Sequence, residues 1–464
     1  MARLSFSIED SFLEKSGVAL LFILPVLVSI YYAITLPVSF DEACTFLLFT
    51  NKNYEAAFAH YPAPNNHILH SLVTISSSNI PYFSNLFKLR ISSIIINAIT
   101  LFVSYQFVCT HFNKKTALIV VAISSMLFMT IYYSYMSRGY GLNNLFFILT
   151  LGCSYNIIKK NSVIKNWILF GLFSVLGFYT MPCFLYPFLT LNGFIFIYNY
   201  KNCKQQFISN LIILIFVLLL YTPIIQNEGI EAIINNRFVK PIGILNTLKS
   251  LPSFSLNVIE EITGISWFLI LPFLLFSLFL IKKRGSKIDY YFSVLVIIAP
   301  FILLSLHRII PFVRVFNYYG FIIVLLFVIP FKERINKLDF KIVVPILLFI
   351  QIVLAFNFNR KIREYEDKDL ALNITANQII PKIIGDYKYF FNWSLLASNL
   401  EFELISKGYK NYQIKEVYEG NMNSDTISGF DFIIIKKELD KTKHSKVFLS
   451  TKYYNIYKDQ KQTR

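Results

Sequence analysis

The sequence predicts a polytopic α-helical membrane protein that ends in a small α/β domain. Of its 464 residues, 55% are hydrophobic and only 15% are charged, whereas soluble domains have about 25% charged residues. The apolar residues form long uncharged runs that repeat over most of the chain, and the part after residue 358 is polar and mixed in charge. These observations exclude a disordered chain, a disulfide scaffold and a soluble enzyme.

The membrane part is predicted to contain about eleven spans. A helix needs about 20 mainly apolar residues to cross a bilayer. Runs of this kind occur at residues 17–36, 89–110, 117–135, 140–158, 166–182, 184–200, 207–225, 265–281, 288–306, 316–331 and 342–358. The predicted membrane domain is therefore 1–358, with a first outer loop at 37–88 and a second large outer loop at 226–264.

The remaining residues, 359–464, are predicted to form an extracytoplasmic α/β domain. Strand-like runs occur at 430–437 and 446–457, and helical stretches occur near 369–384 and 393–407. Mixed periodicity of this kind is typical of a small domain outside the bilayer.

The formal net charge of +17 indicates how the chain lies in the membrane. With the N-terminus in the cytoplasm, the inner segments hold 17 of the 44 Lys and Arg residues and the outer loops hold 9, as the positive-inside rule requires. An odd number of spans then places the C-terminal domain outside. We expect a multi-pass protein of the cytoplasmic (inner) membrane. The lipid bilayer is an expected partner, and binding to nucleic acid is not expected.

Two adjacent acids, Asp41 and Glu42, begin the first outer loop directly after the first span. Carboxylates at the membrane interface could act as a general base or hold a divalent cation that binds phosphate. The alternative is that they are solvated loop acids that cap the next helix. Asp41 is the stronger catalytic candidate of the two.

The same loop contains a proline-rich stretch followed by asparagines and histidines. Asn65 is a predicted N-cap of a new helix, on which His67 and His70 would share one face. That face could bind an anion or a metal together with Asp41, and the helix N-terminus favours phosphate. The alternative is one histidine hydrogen-bonded in a loop and the other packed.

Three outer arginines are candidates for phosphate binding, because arginine binds phosphate in a bidentate manner. Arg138 lies between the third and fourth spans and is followed by Gly139, and Arg308 and Arg314 precede the tenth span. An interfacial arginine can also merely extend its head group toward water. The second outer loop offers Asn236, Arg237 and Lys240 as further candidates.

Together these features resemble the GT-C membrane glycosyltransferases, in particular the bacterial relatives of protein O-mannosyltransferases and of the lipid A aminoarabinose transferase. The resemblance covers about residues 10–358, and the tail is only generally similar. It is carried by Phe40-Asp41-Glu42-Ala43, by Pro64-Asn65-Asn66-His67 with His70 following, and by Arg138-Gly139-Tyr140.

The resemblance implies transfer of a sugar from a polyprenyl-phosphate donor to a glycan, lipid or protein acceptor on the outer face. Asp41 maps onto the catalytic base of the family, and Glu42 onto the second acid. A divalent metal is the one cofactor that the family suggests, with His67 as its candidate ligand. The predicted substrate- and phosphate-binding residues are Asn65, Asn66, His67, His70, Arg138, Tyr140, Arg308 and Arg314.

Two alternatives are a non-enzymatic transporter and another enzyme that acts on lipid-linked sugars. A transporter or flippase of lipid-linked saccharides would show internal repeats and charges in mid-span, whereas the charges here lie mostly at span ends. An O-antigen ligase or polymerase would carry paired arginines and a histidine in a late outer loop, which the stretch from His307 to Arg314 resembles. A glycosyltransferase site requires Asp41, His67 and Arg138 to converge on one cavity open to the outer leaflet.

Overall fold

The fold is mainly helical, with one small sheet near the C-terminus. It is known from a computed structural model. The structure describes residues 12–62, 65–78, 80–159, 163–234, 239, 241–380, 387–391, 394–416, 430–439 and 447–458. Pro64 of the asparagine–histidine motif, and Asn236, Arg237 and Lys240 of the second outer loop, lie outside the described residues.

The first half of the chain forms ten α-helices among the described residues, and the second, third and fourth belong to the first outer loop. The ten helices are α1 Phe12–Thr35, α2 Phe40–Thr45, α3 Tyr54–Ala59, α4 Ile68–Ser78, α5 Asn85–His111, α6 Lys114–Ser124, α7 Phe128–Tyr135, α8 Tyr140–Lys159, α9 Ile164–Thr180 and α10 Leu185–Asn199. A π-helical turn, Phe46–Thr50, joins α2 to the segment before α3.

The second half completes the bundle and adds the sheet. Its helices are α11 Cys203–Glu228, α12 Glu231–Ile234, α13 Ile244–Thr263, α14 Trp267–Arg284, α15 Lys287–His307, α16 Tyr319–Val328, α17 Lys332–Asn336, α18 Phe340–Tyr365, α19 Asp367–Ile379 and α20 Ser394–Ser406. The strands are β1 Tyr387–Phe391, β2 Tyr412–Glu416, β3 Phe432–Lys436, β4 Leu449–Ser450 and β5 Tyr454–Lys458.

All eleven predicted spans coincide with helices, which confirms the polytopic membrane fold. Six described helices are long and apolar enough to cross a bilayer, and eight spans result if α6 with α7 and α13 with α14 each count as one bent span. The other three predicted spans correspond to the shorter helices α9, α10 and α16. Nearly every residue of α16 is buried inside the bundle, which explains its uniformly apolar sequence.

The first outer loop folds into short helices that fix the acidic pair. A reciprocal capping box starts α2: the Ser39 hydroxyl accepts from the Glu42 N–H, and the Glu42 carboxylate accepts from the Ser39 N–H. Helix α4 begins at Ile68, so the predicted N-cap role of Asn65 is wrong and His67 precedes the helix.

The tail forms the predicted small α/β domain and rests on the first outer loop. Its sheet has the order β2-β1-β3-β5-β4, with parallel pairing around β1 and antiparallel pairing at β5. The Val38 carbonyl accepts from Asn373 of α19 and Asn399 of α20, and the Phe40 N–H donates to Asp369. The tail thus contacts the residues that flank Asp41.

Candidate active site

The Asp41 carboxylate lies between two guanidinium groups. Its Oδ2 is 3.1 Å from Nη1 of Arg314 and 3.6 Å from Nη2 of Arg138. Arg138 is 2% exposed, whereas Asp41 and Arg314 are 28% and 30% exposed. The arrangement joins residues of three distant segments and leaves Asp41 and Arg314 accessible to a ligand.

Arg138 is fixed by the first outer loop. Its Nη1 donates to the side chain and the carbonyl of Asn65 and to the hydroxyl of Thr45. The Asn65 amide in turn donates to the Asp41 carbonyl at 3.3 Å. Asn65 therefore positions both the acid and the arginine, which is a different role from the capping that its sequence suggests.

These side chains open onto a cavity of about 250 Å³. Polar and aromatic side chains form most of its wall. The lining residues are Ser39, Phe40, Asp41, Tyr132, Tyr133, Met136, Arg138, Arg314, Tyr365 and Asp369. The cavity thus combines one acid of the first outer loop, two arginines and the start of the tail.

Glu42 does not line this cavity. Its side chain is fully buried, and its carboxylate accepts from Nε of Arg90 at 2.9 Å and from Nη2 at 2.6 Å. It also accepts from the Ser137 N–H at 2.8 Å. Since Ser137 precedes Arg138, Glu42 ties the acidic loop to the arginine turn, and its geometry supports a positioning role more than proton transfer.

His67 is not among the residues that line the Asp41 cavity, so the predicted convergence of Asp41, His67 and Arg138 on one cavity holds only for Asp41 and Arg138. Its ring lies beside the arginine turn. Burial lowers the pKa of His67 well below its ordinary value, and the nearby charge of Arg138 lowers it further. The Gly139 N–H donates to Nδ1 at 2.7 Å. Tyr140 packs edge-on against the ring, with centroids 5.0 Å apart.

These residues do not fit the metal centre that the resemblance suggests. Nδ1 of His67 is occupied by the Gly139 N–H, and its Nε2 lies 3.4 Å from the Arg138 guanidinium. Asp41, the other candidate ligand, already neighbours two cations. In the described part of the chain, no group of three or more His, Cys, Asp or Glu residues could hold a metal ion.

The two remaining residues of the motif are buried away from the cavity. Asn66 donates to the carbonyls of Ala57 and His60 and accepts from Ser71, which closes the turn before α4. His70 bonds Ser93 at 2.9 Å, and burial lowers its pKa to about 3. The shared histidine face is therefore not formed.

Arg308 is not among the residues that line the Asp41 cavity. It ends α15 in the left-handed conformation, with φ of 58°, and is exposed. Its carbonyl accepts from the Ile242 N–H at 2.9 Å. Of the two late arginines predicted to clamp phosphate, only Arg314 lies at the site.

Some residues at the site escape sequence reasoning. Arg90 carries a usable signal, since it is an outer cation at the start of an apolar span. Tyr365 and Asp369 carry none, because only the packing of the tail on the first outer loop brings them to the cavity. Glu366, next to Tyr365, is buried and hydrogen-bonds Tyr132.

The structure is similar to solved membrane glycosyltransferases. ArnT from Cupriavidus metallidurans in the apo state matches with a TM-score of 0.67 at 10% identity, over 95% of this chain and 98% of that one. The same enzyme bound to undecaprenyl phosphate matches with a TM-score of 0.57 at 10% identity, with the same coverage. Comparison with family models and with curated proteins gives no match to the sequence.

A third similar structure is the Archaeoglobus fulgidus oligosaccharyltransferase in complex with Zn and sulfate. It matches with a TM-score of 0.52 at 13% identity, over 90% of this chain and 68% of that one. These similarities confirm the predicted GT-C fold. They show the architecture alone, because identities of 10–13% are too low to assign the substrates of those enzymes to this chain.

Proposed function

We propose that this chain, which has the GT-C fold of membrane glycosyltransferases, transfers a sugar from a polyprenyl-phosphate donor to an acceptor. The transfer takes place at the outer face of the cytoplasmic membrane. The observation that carries this proposal is the accessible Asp41 carboxylate between Arg138 and Arg314. An acid next to two phosphate-binding cations is what the displacement of a lipid phosphate requires.

In the proposed reaction, an acceptor hydroxyl attacks the anomeric carbon of the donor sugar. Asp41 takes the hydroxyl proton, and the bond between the anomeric carbon and the phosphate oxygen breaks. The electron pair leaves with the polyprenyl phosphate, whose developing charge Arg314 and Arg138 stabilise. No step uses a metal, because the residues present do not fit one.

Both arginines have capacity left for a phosphate. The Nε atoms of Arg138 and Arg314 are buried and have no hydrogen-bond partner in the part of the chain that the structure describes. Arg314 is the more exposed of the two. We infer that Arg314 turns from Asp41 to the donor phosphate, which frees a carboxylate oxygen for the acceptor proton.

An apolar crevice near Arg314 suits an isoprenoid chain. It has a volume of about 500 Å³ and lies between α13, α14, α15 and α16. Phe301 of its wall stacks on Phe316, two residues after Arg314, at 6.4 Å. A lipid tail in the crevice would therefore start close to the residue proposed to bind its phosphate.

The test is a transfer assay with the purified protein in detergent and a polyprenyl-phosphate sugar. We expect Asp41→Asn to lower sugar release or transfer by about 10²- to 10⁴-fold, as for the loss of a general base. Asp339→Asn is a matched control, because Asp339 is exposed and caps α18. Unchanged transfer in Asp41→Asn would show that Asp41 is not the base. If the wild-type protein leaves the donor uncleaved, a flippase is the better interpretation.

A further inference from the structure

The helix that carries Asp41 is too short to fix its own orientation. Helix α2 has only six residues, and isolated helices of fewer than about 12 residues are marginal in water. Its position therefore depends on contacts with the rest of the molecule. On the side of the membrane domain, Glu42 binds Arg90 in a buried ion pair. A second set of contacts comes from the tail.

Two helices of the tail hold the chain on both sides of the proposed base. The Val38 carbonyl accepts from Asn373 of α19 and from Asn399 of α20, and both asparagines are buried. Val38 and Phe46 pack in one apolar cluster with Phe402 of α20. The tail is thus attached to the start of α2 by hydrogen bonds and to its end by apolar packing.

The contact made by Asp369 adjoins the proposed base. Its Oδ1 accepts from the Phe40 N–H at 3.2 Å, and Phe40 directly precedes Asp41. The first N–H groups of a helix have no partner within that helix, so an acceptor from outside fixes the first turn. Asp369 and Asp41 also line the same cavity. The hydrogen bond therefore acts on the residue that determines how far the Asp41 carboxylate reaches into this cavity.

We propose that Asp369 is a positioning residue for the proposed base and that the docked tail is a permanent part of the active site. This inference rests on the proposed function. About 1 Å of misplacement at a reacting centre costs roughly 100-fold in rate, so one hydrogen bond at the start of α2 is enough to affect turnover. A tail that acted as a mobile lid would have to break the contacts of Asn373 and Asn399 in every cycle. It would also expose Val38, which is fully buried.

Removal of the acceptor tests the positioning role in the transfer assay described above. We expect Asp369→Ala to lower kcat about 100-fold and to leave the KM for the donor unchanged. Asp369→Asn should keep most of the turnover, because its amide oxygen still accepts the Phe40 N–H. The matched control is Asp367→Ala, which removes another acid from the first turn of α19. Asp367 bonds Lys452 and Tyr453 within the tail, so this variant should keep the wild-type kcat.

Hydrogen exchange measures the positioning without a substrate. The amides of a peptide that covers residues 38–45 should exchange several-fold faster in Asp369→Ala than in the wild type. Asp369→Asn and Asp367→Ala should exchange like the wild type. Unchanged exchange in Asp369→Ala would show that the start of α2 does not depend on Asp369, and it would overturn the proposal.

A cross-link tests whether the tail stays docked during turnover. The Cys44 thiol of α2 donates to the Ser398 hydroxyl of α20 at 3.6 Å, so Ser398→Cys places a second thiol where a disulfide can form. A Cys203→Ser background removes the exposed native thiol. We expect the protein oxidised with copper phenanthroline to turn over as fast as the same protein reduced with dithiothreitol. A failure to form the disulfide would contradict the docked contact, and turnover that returns only on reduction would identify a tail that must open.

The outcomes separate this inference from the proposed function. If the wild type transfers sugar and Asp369→Ala transfers it equally well, the positioning role is wrong and the proposed function stands. If Asp369→Asn loses as much activity as Asp369→Ala and the loss is in KM, the carboxylate contacts the substrate, which also overturns the proposal. A wild type that cleaves no donor removes the proposed function together with the role of Asp369.

Discussion

Asp41 and Glu42 are neighbours in sequence, but they meet different surroundings because successive residues of a helix point about 100° apart. Asp41 lies on the cavity wall and is 28% exposed, whereas Glu42 is fully buried against Arg90. The capping box of Ser39 fixes this rotation, since it commits Glu42 to the start of α2. One acid is thus available to a substrate, and the other holds the loop in place.

We expect Glu42→Gln to destabilise the protein by about 3–5 kcal/mol, the typical cost of leaving one partner of a buried ion pair uncompensated. Chemical or thermal unfolding in detergent measures this loss. Asp41→Asn should cost less than Glu42→Gln, because Asp41 is 28% exposed and solvent screens its charge. Glu42→Leu/Arg90→Met should be more stable than Glu42→Gln, since it removes both charges. Wild-type stability of Glu42→Gln would contradict the positioning role.

Gly139 is a second residue whose effect can be predicted. A Cβ at this position would lie 2.7 Å from Cβ of His67 and 3.0 Å from Cγ2 of Thr180, so the arginine turn must shift. We expect Gly139→Ala to lower transfer roughly 100-fold, the effect of about 1 Å of misplacement at a reacting site.

The matched control for this prediction is Gly193→Ala. Gly193 lies within α10, and its added Cβ would meet nothing within 4 Å. This variant should keep wild-type transfer and gain about 0.5–1 kcal/mol of stability, since alanine loses less entropy than glycine in a helix. Equal activity of both glycine variants would show that the turn tolerates displacement.

At the scale of elements, the sequence predicts the spans well, because each span needs its own apolar run and this signal is local. It does not predict the 100° bend between α13 and α14 or the helix Ile244–Thr263 within the second outer loop, since both depend on neighbouring helices. The same limit applies to the prediction of the functional site. Outer cations identify Arg138 and Arg314 as candidates, but only tertiary packing separates Arg314, which contacts Asp41, from Arg308, which does not line the cavity.

The junction of α18 and α19 contains a buried acid that should make stability depend on pH. Burial raises the pKa of the Glu366 carboxyl to about 8, although Arg90 opposes the shift. Glu42, Asp369 and the hydroxyl of Tyr132 also face it. An acid whose pKa is higher in the folded state binds more protons there than when unfolded. The contribution of Glu366 to the free energy of unfolding is therefore fully present below about pH 4.5 and is lost as the pH rises toward 8.

Between pH 4.5 and 8, we expect the ionisation of Glu366 to lower the free energy of unfolding of the wild type by a few kcal/mol. One pKa unit corresponds to about 1.4 kcal/mol. Unfolding in detergent across this range measures the slope. Glu366→Gln should remove that component, because the amide mimics the neutral carboxyl. An unchanged slope in Glu366→Gln would show that other groups cause the dependence.

At the scale of the whole molecule, the fold places all the proposed chemistry at one end of the helical bundle. Asp41, Arg138 and Arg314 meet where the predicted outer loops gather, and the tail covers the same end through Asn373 and Asn399. The opposite end carries the lysine clusters, such as the last turn of α14. A membrane orientation that reversed these ends would place the site in the cytoplasm.

This orientation is testable with thiols on the two ends. Cys203 starts α11 at the predicted inner end and is exposed, and Ser450 is exposed in β4 of the tail. A membrane-impermeant maleimide should label Ser450→Cys but not Cys203 in intact cells. In inverted vesicles it should label Cys203 but not Ser450→Cys. Labelling of both thiols from one side would mean an even number of crossings between them, which contradicts the predicted topology, since five spans separate Cys203 from the tail.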